Sequence, residues 1–214
     1  MGLVTRRAGL TIASLTFLVI TGIRIHADRD SDARDPDQAV RRLIHALDER
    51  IQERFRKTDE RFGITRVVRL DDSPHTFRPE HVGETAAVEN LKRAGLDVVL
   101  YVAGRRVLSE QPDASWPQAA QWRLVKGPVM VAARPQDVAQ APAPIEMWDV
   151  SRRAMQAFAV TDAYDARHDA WTIIARPVRA SDLTCLTCHP RKNEPGALRI
   201  GDPLGAVLYA YRRR

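Results

Sequence analysis

The sequence predicts an α+β domain: one antiparallel sheet of about five strands with helices, preceded by a long N-terminal amphipathic helix. Three observations carry this. An apolar stripe at helical spacing runs from Val40 to Phe62. β-rich runs recur at 96–110, 122–133, 170–178 and 204–212, and helical segments fall between groups of strands, not in strict alternation with them. The chain has 214 residues, 44% hydrophobic and 28% charged, which suffices for one core with an appendage but not for two full enzyme domains.

The first element is an export segment. Arg6 and Arg7 precede an apolar run of 16 residues, Ala8 to Ile23, and charge returns abruptly after Ala27. A buried core helix would show a polar face, and this run has none. Residues 1–27 therefore read as a signal peptide or an N-terminal membrane anchor, with the remainder outside the cytoplasm, periplasmic in a bacterium. The same segment accounts for half of the net charge. Without residues 1–27, Lys and Arg fall from 33 to 30 while Asp and Glu stay at 27, so +6 becomes +3. The arginines Arg212 to Arg214 read as solvated, no basic stripe interleaved with aromatics remains, and nucleic acid is excluded as a partner.

Residues 28–63 are assigned to the long helix. Asp35-Pro36-Asp37-Gln38 is a helix start, with an N-cap acid, proline at the first helical position and glutamine at N3. Val40, Leu43, Ile44, Leu47, Ile51, Phe55 and Phe62 then recur at helical spacing until Gly63. About 27 residues at 1.5 Å each make a helix of roughly 40 Å. It packs along its own domain, or its outer half pairs with a second copy as a homodimer.

The main domain is assigned to 64–214. Residues 84–94 predict a short helix stopped by Gly95, and 96–110 predict a hairpin turning at Ala103-Gly104-Arg105. A second hairpin is expected over 122–133, turning at Lys126-Gly127-Pro128. The proline-rich 134–144 reads as a loop, 145–160 as a helix, and 170–178 and 204–212 as the last two strands.

One motif carries chemistry. The chain has two cysteines, and both lie in Cys185-Leu186-Thr187-Cys188-His189. CxxCH is the attachment signature of c-type haem. Two thiols three positions apart can add to the two vinyl groups of one porphyrin, and the next histidine is then held under the iron. A thioredoxin-like dithiol normally opens a helix after a strand, whereas Pro190 and a charged loop follow this motif. A zinc site needs four ligands, and the other histidines are distant. Two inert thiols remain as the third alternative. Export agrees with haem, which is attached to such motifs outside the cytoplasm.

After the motif, Ile200-Gly201-Asp202-Pro203-Leu204-Gly205-Ala206-Val207 leads into the last strand. CxxCH followed by this G-D-x-x-G-A turn resembles the single-haem c-type, PAS-like sensor domain family, over residues 185–211. The resemblance implies a PAS-like sheet, one covalent haem c on Cys185 and Cys188, and His189 as proximal iron ligand. It implies sensing of redox state or a small diatomic molecule, with a redox or signalling protein as partner, because no output domain follows the last strand. The alternative is a periplasmic electron-transfer cytochrome with no signalling role. Neither is an enzyme in the ordinary sense, and no nucleophile or phosphate-loop pattern is present.

The distal ligand stays open. The 25 residues after His189 contain no methionine or histidine, so it must come from upstream. His168 stands 17 residues before Cys185 at the entry to the preceding strand. His75 and His81 lie in a polar loop able to fold over a haem face, and Met130 points to core or haem depending on register. His45 reads as a flanking, solvated residue and Met155 as core filling, with Met147 the remaining methionine. Trp122, Trp148, Trp171, Tyr209 and Tyr211 are expected in the core or haem-pocket walls.

Overall fold

The computed structural model describes residues 35–57, 66, 77, 79–108, 129–132, 141–188 and 198–214, with 129–132 and Cys188 described by their backbone alone. The chain divides into two units, residues 1–42 and 43–214. The boundary falls inside the first helix, α1 (Pro36–Arg56), and everything below except the start of α1 concerns the second unit. Asp35 caps α1 as its sequence predicts, its Oδ1 accepting the N–H groups of Asp37 and Gln38 at 3.0 and 3.2 Å. The helix is shorter than the assigned 28–63, and Phe62 and Gly63 lie outside the described residues.

After α1 come α2 (Val82–Arg93), β1 (Leu96–Gly104), β2 (Val129–Ala132), α3 (Trp148–Ala157), β3 (Tyr164–His168), β4 (Trp171–Arg179), α4 (Leu183–Cys188) and β5 (Pro203–Arg213). The sheet runs β2-β1-β5-β4-β3, and each neighbouring pair is antiparallel. This is the α+β class that the pattern of runs predicts.

Three expectations are corrected. Residues 105–108 form a 3-10 turn, not the second arm of a hairpin, and β1 pairs instead with β5, which follows it by a hundred residues in sequence. Local apolar alternation cannot reveal a partner so remote. β3 was missed because Tyr-Asp-Ala-Arg-His is polar at every second position and half-exposed, as an edge strand is. The C-terminal arginines are not simply solvated. Arg212 and Arg214 donate from Nε to the buried Asp97 carboxylate at 3.1 and 2.6 Å, and Arg212 also stacks 4.8 Å over the Trp171 ring.

The sheet is covered on both faces, so β1 and β5 are buried at nearly every position and show no alternation. One face presents Val99, Tyr101, Ala206, Leu208, Ile173 and Ala175 to α3, whose Trp148, Ala154 and Met155 complete that core. The other face carries α1, where Ile44, Leu47 and Ile51 are 0–1% exposed, and α2 lies beside it on β1. The apolar stripe of α1 from Leu43 onward is therefore spent within its own domain. A buried ion pair joins the two helices: Arg54 Nε donates to Glu84 Oε1 at 2.5 Å, and Nη2 to Oε2, with both residues almost wholly buried. Arg54 also stacks 4.8 Å over Phe77.

Candidate functional site

The two cysteines sit on α4, directly after β4. This corrects the expectation that the motif does not open a helix after a strand, and it removes that argument against a dithiol. Asp182 nucleates the helix: its Oδ1 accepts the N–H groups of Thr184 and Cys185 at 2.7 and 3.2 Å. The Cys185 and Thr184 bonds hold the Asp182 carboxyl below its ordinary range against a smaller desolvation effect. An aspartate just before a helical run is a readable N-cap signal, and the apparent loop character of Ser181-Asp182 hid it.

The entry to α4 is tied to the turn that precedes β5. Ala180 N–H donates to Asp202 O at 3.0 Å, and Gly201 N–H donates to Ala180 O at 2.8 Å. Arg179, at the bulged end of β4, clamps the same junction, donating to Gly201 O at 2.8 Å, to Phe158 O at 3.1 Å and to Asp162 Oδ1 at 2.7 Å. The turn at Gly201 and Asp202 thus anchors the start of the cysteine helix. Below α4, Cys185 and Leu186 are half-buried against Ala180, Leu198 and Leu204. Cys185 is a free thiol, 3.8 Å from Ser181 Oγ.

Two large apolar side chains at this junction stay in solvent: Leu183 is 72% exposed and Ile200 57%. Cys185 and Cys188, spaced i, i+3, take neighbouring positions on α4. Cys185 over an apolar niche, with uncovered apolar side chains at the same junction, is compatible with an apolar group held at that thiol. His189 lies outside the described residues, as does His75.

The other candidate ligands fall as follows. His168 pairs with Trp171 at the far end of β4 from the motif, eight residues and roughly 26 Å of strand away. Its Nε2 lies 3.8 Å from Glu146 and from Asp169. Nearness in sequence does not become nearness in space, and the reason for selecting His168 is removed. His81 precedes α2 and lies 3.0 Å from Lys57 Nζ, just past the end of α1. Since Phe55 and Arg56 of α1 line a cleft with Ala180 and Ser181, His81 is the candidate that the fold brings toward the motif's end of the sheet. Met130 pairs with Tyr101 across β2 and β1. His45 is on the surface beside Glu49, and Met147 and Met155 fill the α3 core. Trp148, Trp171, Tyr209 and Tyr211 are buried within the sheet faces.

Sequence reading missed a polar network on the sheet face under α1. Asp48, 3% exposed, accepts from Tyr209 Oη at 2.7 Å, Arg176 Nε at 3.2 Å and Gln52 Nε2 at 3.1 Å. Burial first, and then the Asp48 charge, push the Tyr209 hydroxyl well above its ordinary range, so it remains a donor. An acid one turn from Ile44 and beside Leu47 was the available signal, because a charge next to an apolar stripe requires a partner.

Among the described residues no group of three or more His, Cys, Asp or Glu side chains could hold a metal ion, and no helix is long and apolar enough to cross a membrane. Residues 1–27 lie outside that description. The chain matches no protein-family model, no curated protein and no solved structure.

Proposed function

We propose that the chain is an exported, PAS-like protein that carries one covalent haem c and reports redox state or a small iron ligand to a redox or signalling protein. The observation that carries this reading is that Cys185 and Cys188 share one short helix, with Cys185 over an apolar niche and His189 next in sequence. The strand order β2-β1-β5-β4-β3, with α3 inserted between β2 and β3, is the order of a PAS-type sheet and supports the fold part of the reading.

In this reading Cys185 and Cys188 would hold the haem through thioether bonds, and His189 would supply a nitrogen ligand to its iron. When bound, the haem supplies a one-electron couple and an iron position for a small ligand. The chain's own part is to hold α4 rigid through Asp182, Ala180 and Arg179, and to cover one haem face with apolar side chains. The N-terminal segment directs the chain across the membrane, where such attachment takes place.

Expression with a c-type haem-maturation system followed by intact-mass measurement tests this. The wild type is expected to gain the mass of one haem, and Cys185→Ala with Cys188→Ala to gain none. A wild type without added mass ends the reading. Ferrous spectra under CO or NO then separate two roles: a displaced or open sixth position marks a sensor, and an unresponsive six-coordinate iron marks an electron carrier. A second reading, a reversible dithiol, is favoured by the position of α4 immediately after β4. It requires that the purified chain lack haem and lose two titratable thiols on mild oxidation.

A further inference from the structure

A cleft of about 250 Å³ opens between the C-terminal half of α1 and the end of β4. Its far wall reaches Ala180 and Ser181, the latter beside the Cys185 sulfur. Asp48 lies in it but is already saturated by Tyr209, Gln52 and Arg176. Asp162 is likewise held by Arg179. The cations are not all used. Arg176, 28% exposed, reaches Asp48 through Nε alone, and among the described residues its two Nη groups have no partner. Arg56, exposed at the mouth, has neither an ion pair nor a hydrogen bond among the described residues. The cleft therefore holds three guanidinium groups against two engaged carboxylates. Phe55 and Pro177 add apolar wall.

We propose that this cleft is a carboxylate-binding site, in which the paired Nη groups of Arg176 take the anion side-on and Arg56 closes over it. A guanidinium whose Nε is fixed by a buried acid presents its other edge in one orientation, which is the arrangement a planar two-oxygen anion matches. The carboxylate has two sources. It can be a free small carboxylate, or it can be a propionate group of the haem itself, carried on the edge opposite the vinyl groups. Only the second source rests on the haem reading above. Arg176 stands three residues before Arg179 along β4, roughly 10 Å, with the start of α4 beyond.

The test uses sodium propionate as probe, with sodium chloride at equal ionic strength as control. In the haem-free Cys185→Ala, Cys188→Ala protein, the Arg side-chain N–H resonances are expected to shift saturably with propionate and not with chloride. Arg56→Gln, a surface change that leaves the fold intact, is expected to weaken binding by about tenfold. Arg176→Lys keeps a cation for Asp48 but removes the fork, and should weaken it at least as much. In haem-loaded protein, loss of propionate binding together with a shifted propionate-bending band in the resonance Raman spectrum of Arg56→Gln assigns the site to the haem carboxylate. Retained propionate binding assigns it to a free carboxylate. Absence of saturable binding in the haem-free protein, with an unshifted band in the loaded variants, overturns the proposal. If no haem attaches yet propionate binds, the haem reading fails and the cleft assignment stands.

Discussion

Gly205 stands where β5 passes so close to β1 that a Cβ would lie 2.6 Å from the Ala103 carbonyl oxygen. No side chain can give way there, because the obstacle is backbone. Gly201, four residues earlier, has φ +93°, a conformation that other residues rarely adopt. The two glycines of the G-D-x-x-G-A turn thus serve the backbone: one makes the turn that binds Ala180, and the other lets β5 enter the sheet. Gly205→Ala is expected to lower stability by about 1–3 kcal/mol, read as a lower urea midpoint; an unchanged midpoint would mean the strands do not approach so closely. At the same scale, burial alone would raise the Glu84 carboxyl. The hydrogen bonds from Arg54 and from the Glu80 N–H outweigh it and hold Glu84 below its ordinary value. A depressed carboxylate adds stability that is complete above its unfolded pKa and disappears as pH falls through its folded one. Acid should therefore destabilise the domain below the usual carboxylate range, and Glu84→Gln should remove part of that dependence. The same substitution removes the close carboxylate partner of the buried Arg54 and leaves the 3.9 Å contact with Glu80, at a cost of up to about 3–5 kcal/mol at neutral pH. Unfolding curves at several pH values measure both effects.

Among the elements, α1 shows how a sequence pattern can be right in kind and incomplete in meaning. Its capping acid and apolar spacing are legible, and Ile44, Leu47 and Ile51 are buried as the stripe requires. The spacing does not say what the stripe meets. It meets the sheet, so at least this half of α1 is unavailable for pairing with a second copy. Deleting residues 36–56 should remove roughly 5–9 kcal/mol of apolar burial from these three side chains alone. It would also leave Tyr209 and Glu84 without their buried partners. Loss of a cooperative thermal transition is the expected outcome, and a folded, merely monomeric remainder would contradict it. The helix α4 was hidden for a different reason. Six residues are too few for periodicity to register, and its stability comes from the Asp182 cap and from bonds to a turn that follows it in sequence.

Across the whole molecule, charge and topology divide the information differently. Half of the net +6 lies in residues 1–27, and Arg212 and Arg214 are engaged with the buried Asp97 carboxylate. Burial alone would raise the Asp97 carboxyl, yet its bonds to Arg214 and Arg212 bring it below its ordinary range. Truncation before Arg212 leaves that acid, 7% exposed, without either partner. The truncated chain should show a lower melting temperature at neutral pH, with the difference narrowing in acid as Asp97 protonates; an equal difference at every pH would assign the loss to Trp171 stacking instead. The central place of β5, between β1 and β4, sets where the motif stands. It carries the end of β4, and hence α4, to the same end of the sheet as the close of α1.

What the sequence by itself determined is local: the helix starts, the runs able to be strands, the apolar N-terminal run, and a pair of thiols three positions apart with a histidine beside them. Each depends on residues within a few turns of chain, and nearby periodicity and chemistry suffice to expose it. What the tertiary structure decided is which distant residues meet. It placed His168 at the end of β4 away from the cysteine helix, turned Arg212 and Arg214 into partners of Asp97, and set Asp48 beneath Tyr209 and Arg176. Those meetings follow from the order in which strands pair, and strand order is settled by the burial of two whole sheet faces, a property that no short window of sequence contains.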